Sequence, residues 1–338
     1  MKHITITDIA KRLNLSVSTI SRALNDKYDI RQDTRELVLK TAKEMGYSPN
    51  PVARNLLERC SHLIGVIIPE FINAFFPEVI IGIQEVLKRE NYQLLIMQSN
   101  EDPSIEMDNI KTLECNMVDG IIISLTKETK DVTYINKLIE EGFPVVLFNR
   151  TSKLLKASSV VLDDYRCAFF ATEHLINQGY KNIIHLMGPR HVNLSLNRRD
   201  GFIDALRKHK MEIRPDQVIE CGFLIQDGEK AAESIMEMGI LPDAIFATND
   251  PSAIGAMKVF KKHGIRIPDD IGIVGFTESP MAYLLDPPLT SVAQPTFEIG
   301  KTAARLILEQ LKSKGSFIPQ TIILNGTLNI RESSTRRT

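Results

Sequence analysis

From residue 62 onward, short apolar runs alternate with amphipathic stretches: HLIGVIIP, FFPEVIIGIQEVLKRENY, QLLIMQS, SIEMDNIKTLECN, DGIIIS, a helical pattern near Val132 to Glu141, and PVVLF. Strands buried on both faces read as unbroken apolar runs, and helices at regular intervals supply the cover, so this alternation specifies a doubly wound parallel sheet. A second series starts at SVVLDD and continues through CAFFATEHLINQGY, NIIHLMGP, RRDGFIDALRKHKM, a helix near Asp227 to Met238, DAIFATND, PSAIGAMKVFKKHG and DIGIVGF. Two similar α/β units are therefore expected. The stretch from SVAQPTFEIGKTAARLILEQLKSKG to TIILNGTLNIRES adds one helix and two strands.

The first 60 residues obey a different period. In TITDIAKRLNLSVSTISRALN the apolar residues have the spacing of two short helices. The first is expected to begin near Thr7, whose hydroxyl can cap free amides, and to bury Ile9, Ala10 and Leu13. Asn14 permits a sharp turn, and Ser16 caps a second helix in which Ile20, Ala23 and Leu24 face the first. That leaves Val17, Ser18, Ser21, Arg22 and Asn25 on an outward face. These side chains suit base edges and phosphates in a major groove: an arginine can clamp a guanine through two parallel hydrogen bonds, and a valine can meet a thymine methyl. A third helix, Asp33 to Met45, contributes Val38, Ala42 and Met45 and is stopped by Gly46. A solvated helical hairpin would show a similar polar face, so the pattern alone leaves both readings open. The following stretch, GYSPNPVARNLLERCSHLIGVIIP, favours DNA binding: two prolines interrupt the chain, and a turn or two of helix, Pro51 to Leu57, precedes a buried strand.

Charge divides the chain at the same place. Residues 1–60 carry 11 Lys+Arg against 7 Asp+Glu, and the remainder carries 30 against 35. A basic end on an acidic body points one end toward phosphate, with an affinity that falls steeply in salt. With 338 residues, 43% of them hydrophobic and 25% charged, the chain has the apolar content for more than one packed domain. No stretch reaches the 18 apolar residues of a membrane span and no signal peptide precedes the helices, so a cytoplasmic protein without membrane contacts is expected. Cys60, Cys115, Cys167 and Cys221 lack paired spacing, which suggests neither zinc nor disulfides, and no cofactor is expected. GxGxxG after a strand, GxxxxGK[ST], HExxH and GxSxG are all missing, which argues against an enzyme.

TITDIAKRLNLSVSTISRALN, TRELVLKTAKEMGYSPNPVAR and LIGVIIP together resemble the lactose-repressor (LacI/GalR) family of bacterial transcription regulators, and the resemblance covers essentially the whole chain. It implies a small all-α helix-turn-helix headpiece (residues 1–48), a hinge helix and linker (49–61), and a two-lobed, periplasmic-binding-protein-like α/β core with parallel sheets (62–338). Lobe 1 would take about 62–160 and 292–323, and lobe 2 about 161–291 and 324–338. The resemblance implies that Val17, Ser18 and Arg22 read bases, and that Thr7, Ser21, Asn25 and Tyr47 lie near phosphates. Leu56, beside Arg54, would be a wedge that the paired hinge helices of a homodimer push between the central base pairs of a pseudo-palindromic operator. The chain's last residues, RESSTRRT, hold no leucine heptad, which argues against a tetramerising coiled coil.

Ligands of open parallel sheets sit beyond the carboxyl ends of the strands, here the cleft between two lobes. The strand ends offer Glu70, Phe71, Asn73, Phe75 and Phe76, then Asn149 and Arg150, then Arg190, His191, Asn193 and Arg198, then Asn249 and Asp250, and finally Thr277 and Glu278. The resemblance implies an effector pocket lined by Phe75, Phe76, Arg198, Phe223, Asn249 and Asp250, with Asn149 and Thr277 beside them. Two alternatives stay open: Arg150 can bridge to Asp163 or Asp164, and Asp250 can cap the helix that begins at Pro251. Family members that bind neutral sugars often carry an aspartate where this chain has Thr277. With Arg190, His191 and Arg198 nearby, this favours an anionic or substituted sugar over a plain hexose, and Glu278 is the nearest substitute carboxylate. The function expected is a DNA-binding repressor controlled by a small molecule, a sugar or sugar derivative. The alternatives are a small-molecule-binding protein without a DNA role and a nucleobase-responsive regulator.

Overall fold

The computed structural model describes residues 4–25, 30–47, 60–239, 241–313 and 317–336. It divides into two compact units, Met1–Ser61 and His62–Thr338. Pro51 to Leu57, with Arg54 and Leu56, lie outside the described residues.

In the first unit, α1 (Ile6–Leu13), α2 (Val17–Leu24) and α3 (Gln32–Glu44) enclose Ile9, Ala10, Ile20, Ala23, Val38 and Ala42. Thr5, rather than Thr7, starts α1: its backbone amide and its hydroxyl both donate to Asp8 Oδ2, at 2.8 and 2.7 Å. Asp8 thereby ties down the amide that precedes the helix. Asn14 adopts φ 53°, the left-handed conformation its short amide tolerates, and turns the chain sharply after α1. Ser16 then caps α2, its Oγ accepting from the Thr19 amide at 3.1 Å. The α3 bounds fall one residue before those expected, and Gly46, at φ 68°, follows it.

The second unit runs β1 (Leu63–Ile68), α4 (Phe75–Arg89), β2 (Gln93–Gln98), α5 (Pro103–Cys115), β3 (Gly120–Ile123), α6 (Thr133–Glu140), β4 (Val145–Phe148) and β5 (Ser158–Leu162). It continues with α7 (Asp164–Asn177), β6 (Ile183–Met187), α8 (Asn193–Lys208), β7 (Val218–Glu220), α9 (Ile225–Glu237), β8 (Ala244–Ala247), α10 (Asp250–Lys262), β9 (Gly272–Thr277) and β10 (Thr290–Ala293). The helix α11 (Thr296–Lys312) and the strands β11 (Thr321–Leu324) and β12 (Thr327–Asn329) complete it. Among the described residues, no helix is long and apolar enough to cross a membrane.

Two six-stranded sheets result, in the orders β11-β5-β4-β3-β1-β2 and β12-β10-β9-β8-β6-β7. All neighbours are parallel except β12, which pairs antiparallel with β10. The chain passes from one sheet to the other after β5, after β10 and between β11 and β12. Each sheet is covered on both faces, so each is the centre of one lobe. The covering helices touch backbone to backbone: a Cβ on Gly300 would stand 2.0 Å from the Val79 carbonyl oxygen, and one on Gly82 2.2 Å from that of Phe297. Only glycine permits α4 and α11 to approach so closely.

Strand order reverses between β1 and β3 in the first sheet and between β6 and β8 in the second. Loops leave in opposite directions at such points and open a crevice beyond the strands' carboxyl ends.

Candidate functional site

The outward side of α2 carries Val17, 42% exposed, with Ser18, Arg22 and Asn25 also exposed and Ser21 half-buried. Ile20 and Ala23 are buried on the opposite side, so the helical period itself sorts core from surface. The hydroxyls of Ser18 and Thr19 each lie 2.8 Å from that of Ser16, and Asn25 Nδ2 donates to Ser21 Oγ at 3.5 Å. Thr7 is exposed in the first turn of α1, and Tyr47 is half-buried after α3. In its chemistry this is a surface of donors, acceptors and one apolar tip on a rigid helix.

The second unit brings the strand-end residues together around a set of ion pairs. Arg150 extends from β4 to Glu101, donating to both carboxylate oxygens at 2.7 and 2.8 Å, and its guanidinium lies 4.9 Å from the Phe223 ring centroid. It does not bridge to Asp163 or Asp164. Asp164 is taken by Arg198, whose Nε donates at 2.8 Å and whose Nη1 donates to the Thr248 carbonyl at 2.5 Å. Arg198 also lies 3.6 Å from the Phe276 centroid and is 3% exposed. Burial pushes the Asp164 carboxyl up, and Arg198 pulls it back toward the charged form.

Asn249, not Asp250, caps α10: its Oδ1 accepts from the Ser252 amide at 3.0 Å, while its Nδ2 donates to the Phe223 carbonyl at 2.8 Å. Asp250 is fully buried and reaches the other way, accepting from the Ser291 hydroxyl at 2.5 Å and the Ser279 amide at 2.6 Å. Its pKa is pushed up to about 6 by burial. Thr277 sits at φ 116° and Glu278 at φ 59°, backbone that a residue other than glycine adopts only under constraint, at roughly 1–3 kcal/mol. Arg331 supplies part of that constraint through its ion pair with Glu278, so Glu278 is held by the tail of the chain rather than offered to the cleft. The Thr277 hydroxyl accepts from Gln294 Nε2 at 3.2 Å. Asn149, at φ 58°, is half-buried directly after β4.

Phe75 and Phe76 open α4 but belong to the core of the first lobe, 4% and 2% exposed, in edge contact with each other at 5.2 Å. The lobes meet where His191 donates to the Lys127 carbonyl at 2.5 Å and Asn193 Nδ2 donates to the Thr151 carbonyl at 3.2 Å. Beside these contacts lies a cavity of about 240 Å³, lined from one lobe by residues 125–127, 129 and 150–154 and from the other by residues 191–193. Arg198, Asn249 and Asp250 do not line it; all three are buried in the second lobe.

Residues 61–329 match the family described as periplasmic binding proteins and sugar binding domain of the LacI family, and residues 5–50 match bacterial regulatory proteins, lacI family. The chain belongs to the LacI family. Among its LacI-family relatives, the ribose operon repressor of Halalkalibacterium halodurans is 33% identical over 318 residues, 92% of this chain and 91% of that one. The solved structure of the transcriptional regulator CelR in its cellobiose complex aligns over 98% of this chain and 100% of that one, with a TM-score of 0.75 and 26% identity. The lac repressor dimer bound to operator and the anti-inducer ONPF aligns over 98% and 99%, with a TM-score of 0.86 at 23% identity, a likeness of fold.

For this LacI-family regulator, the ion pairs take the arginines out of the charge argument for an anionic ligand, while Lys127 and Lys153 line the cavity with no ion pair among the described residues. Arg150, Arg198, Arg190 and Arg331 are matched by Glu101, Asp164, Glu220 and Glu278, and His191 stands 3.9 Å from Glu128. Glu70, Glu106 and Asp250 are carboxylates beyond those pairs. Burial raises the pKa of all three. Glu101 and Arg331, and the pairing of Asp164 with Arg198, are not visible in the sequence, because each partner stands tens of residues away, where no local spacing reports the contact.

Proposed function

We propose that the chain is a repressor that works as a homodimer in the cytoplasm, reads a pseudo-palindromic operator with α2, and is controlled by a neutral sugar or sugar derivative held between its two lobes. The observation that carries the reading is that one chain joins an exposed, polar recognition helix to a two-lobed cleft whose arginines are already matched by carboxylates. A neutral polyol asks for no unpaired charge, whereas an anion would find the arginines taken and would have to rely on Lys127 and Lys153. The names of a ribose operon repressor and a cellobiose-bound regulator among the relatives support the same class. Control follows from population shift: a ligand that prefers one lobe angle shifts the balance between lobe arrangements by no more than its difference in affinity for them. The hinge at Pro51 to Leu57, with Leu56 as wedge and Arg54 beside it, would pass that shift to the headpieces, since a helix so short draws its order from its partners. We assign no catalysis to the chain.

Selection of operator sequences from a randomised duplex pool tests the DNA part. Arg22→Ala should relax base preference at one position in each half-site, by about 1–3 kcal/mol of discrimination, and leave the other positions as they were. Weakening that is uniform across all sequences would instead make Arg22 a phosphate contact. Thermal unfolding with sugars, sugar acids and nucleobases tests the ligand class, because a specific ligand stabilises the folded state by mass action. Stabilisation by a sugar acid or a nucleobase alone would refute the neutral-sugar reading.

A further inference from the structure

The floor of the second lobe's crevice contains polar atoms that none of the pairings above uses. Ser195 and Thr248 are fully buried, and neither Ser195 Oγ nor Thr248 Oγ1 has a hydrogen-bond partner among the described residues. Such an atom costs about 1–3 kcal/mol to bury, so two of them at the ends of neighbouring strands call for an explanation. Their place is informative. Thr248 directly follows β8, where its amide continues the ladder to the Leu186 carbonyl, and Gly188 directly follows Met187 at the end of β6. These two strands flank the point where the order of the second sheet reverses.

Ser195 comes to the same point from the first turn of α8. A Cβ on Gly188 would lie 2.5 Å from Ser195 Oγ and 2.6 Å from Phe223 Cε1, so this hydroxyl and the edge of the Phe223 ring both rest on one bare stretch of backbone. Arg198 follows Ser195 by one helical turn and is bonded to the Thr248 carbonyl. Ser195 and Phe223 thus meet over Gly188 at the end of β6, and Arg198 ties the same helix to the Thr248 carbonyl at the end of the neighbouring β8. His185 Nε2 is also unpaired but lies deeper, its ring stacked 4.7 Å from Phe246 and 5.4 Å from Phe202.

We propose that Ser195 and Thr248 form a hydroxyl-binding subsite beneath Phe223, which takes a hydroxyl group of a neutral polyol effector. This rests on the neutral-sugar reading above. Each side-chain hydroxyl can donate one hydrogen bond and accept others, and a sugar hydroxyl does the same, so the match needs no charge and discriminates against a ligand with hydrogen in that position. An ordered water offers the same chemistry. The two sources differ in when the partner is present: a structural water pairs the hydroxyls at all times, and a ligand pairs them only when bound.

The test uses the intact chain, Ser195→Ala and Thr248→Val, with D-ribose as the probe. Calorimetric titration should show ribose binding about tenfold or more weaker in each variant, and thermal unfolding without sugar should give each variant a melting temperature equal to or above that of the parent. Unchanged ribose affinity in both variants overturns the subsite. A lower melting temperature in both without sugar also overturns it, because the hydroxyls would then hold a permanent water. Should the parent fail to bind ribose, the choice of sugar fails separately. The sugar-free melting temperatures then decide alone, with a rise supporting the subsite and a fall refuting it.

Discussion

Arg198→Ala should lower the stability of the unit spanning residues 62–338 by about 3–5 kcal/mol, the usual cost of leaving one member of a buried ion pair without its partner. Asp164 is 5% exposed, and its compensation comes from the guanidinium. The same substitution frees the Thr248 carbonyl and uncovers the face of Phe276. Loss of sugar response in Arg198→Ala would therefore not prove contact with ligand, since the lobe that holds the ligand is itself weakened. A double replacement separates the effects. Arg198→Met with Asp164→Leu removes both charges from the interior, and apolar replacements of buried pairs are often neutral or better, so it should regain most of the loss. Urea denaturation of the single and double variants measures this directly. A single variant within about 1 kcal/mol of the parent would mean that water reaches Asp164 and that the pair contributes little to the fold.

What could be read in the sequence was whatever depends on neighbours within a few residues. The Ser16 cap, the turn at Asn14 and the outward set on α2 all follow from spacing inside one or two helical turns, and the structure places them accordingly. The start of α1 was also legible in principle: Asp8 stands three residues after Thr5, the spacing at which a side chain can return to the residue before the helix. The two α/β units were visible because each strand is an unbroken apolar run. The pairings of the cleft were not. Arg150 lies 49 residues from Glu101, Arg198 lies 34 from Asp164, and Arg331 lies 53 from Glu278. Arg150 is near Asp163 and Asp164 in sequence, but it and they stand on opposite sides of a passage between sheets. Each arginine takes the carboxylate its own sheet presents. The same passage explains Asp250: next to a helix start it reads as a cap, yet β10 and the turn after β9 bring Ser291 and Ser279 to it, and Asn249 is left to cap.

Acid should expose two buried groups that act against each other. Burial lowers the pKa of His185 from 6.5 to about 3. A group depressed in the folded state adds stability above its unfolded pKa and loses it as pH falls, here between 6.5 and about 3, worth about 4–5 kcal/mol over the whole window. His174, also lowered by burial, acts in the same sense. Asp250 does the reverse: its pKa is raised from 3.8 to about 6, so its contribution is complete below 3.8 and is lost as pH rises through 6. Asp164, Glu106 and Glu70, all raised by burial, share that sign. Between pH 7 and 5 the two sets oppose, and the stability of the parent should change little. His185→Leu leaves only His174 opposing the carboxylates, so it should gain stability on acidification from pH 7 to 5, by about 2 kcal/mol relative to the parent's own change. Asp250→Asn should do the opposite and fall more steeply than the parent over the same interval. Urea midpoints at pH 7 and 5 for the three proteins decide it. Parallel changes in all three would mean that neither group titrates from a closed interior. The burial of His185 against Phe246, with its Nδ1 on the Phe246 carbonyl at 2.9 Å, would then have to open in acid before the ring takes up a proton.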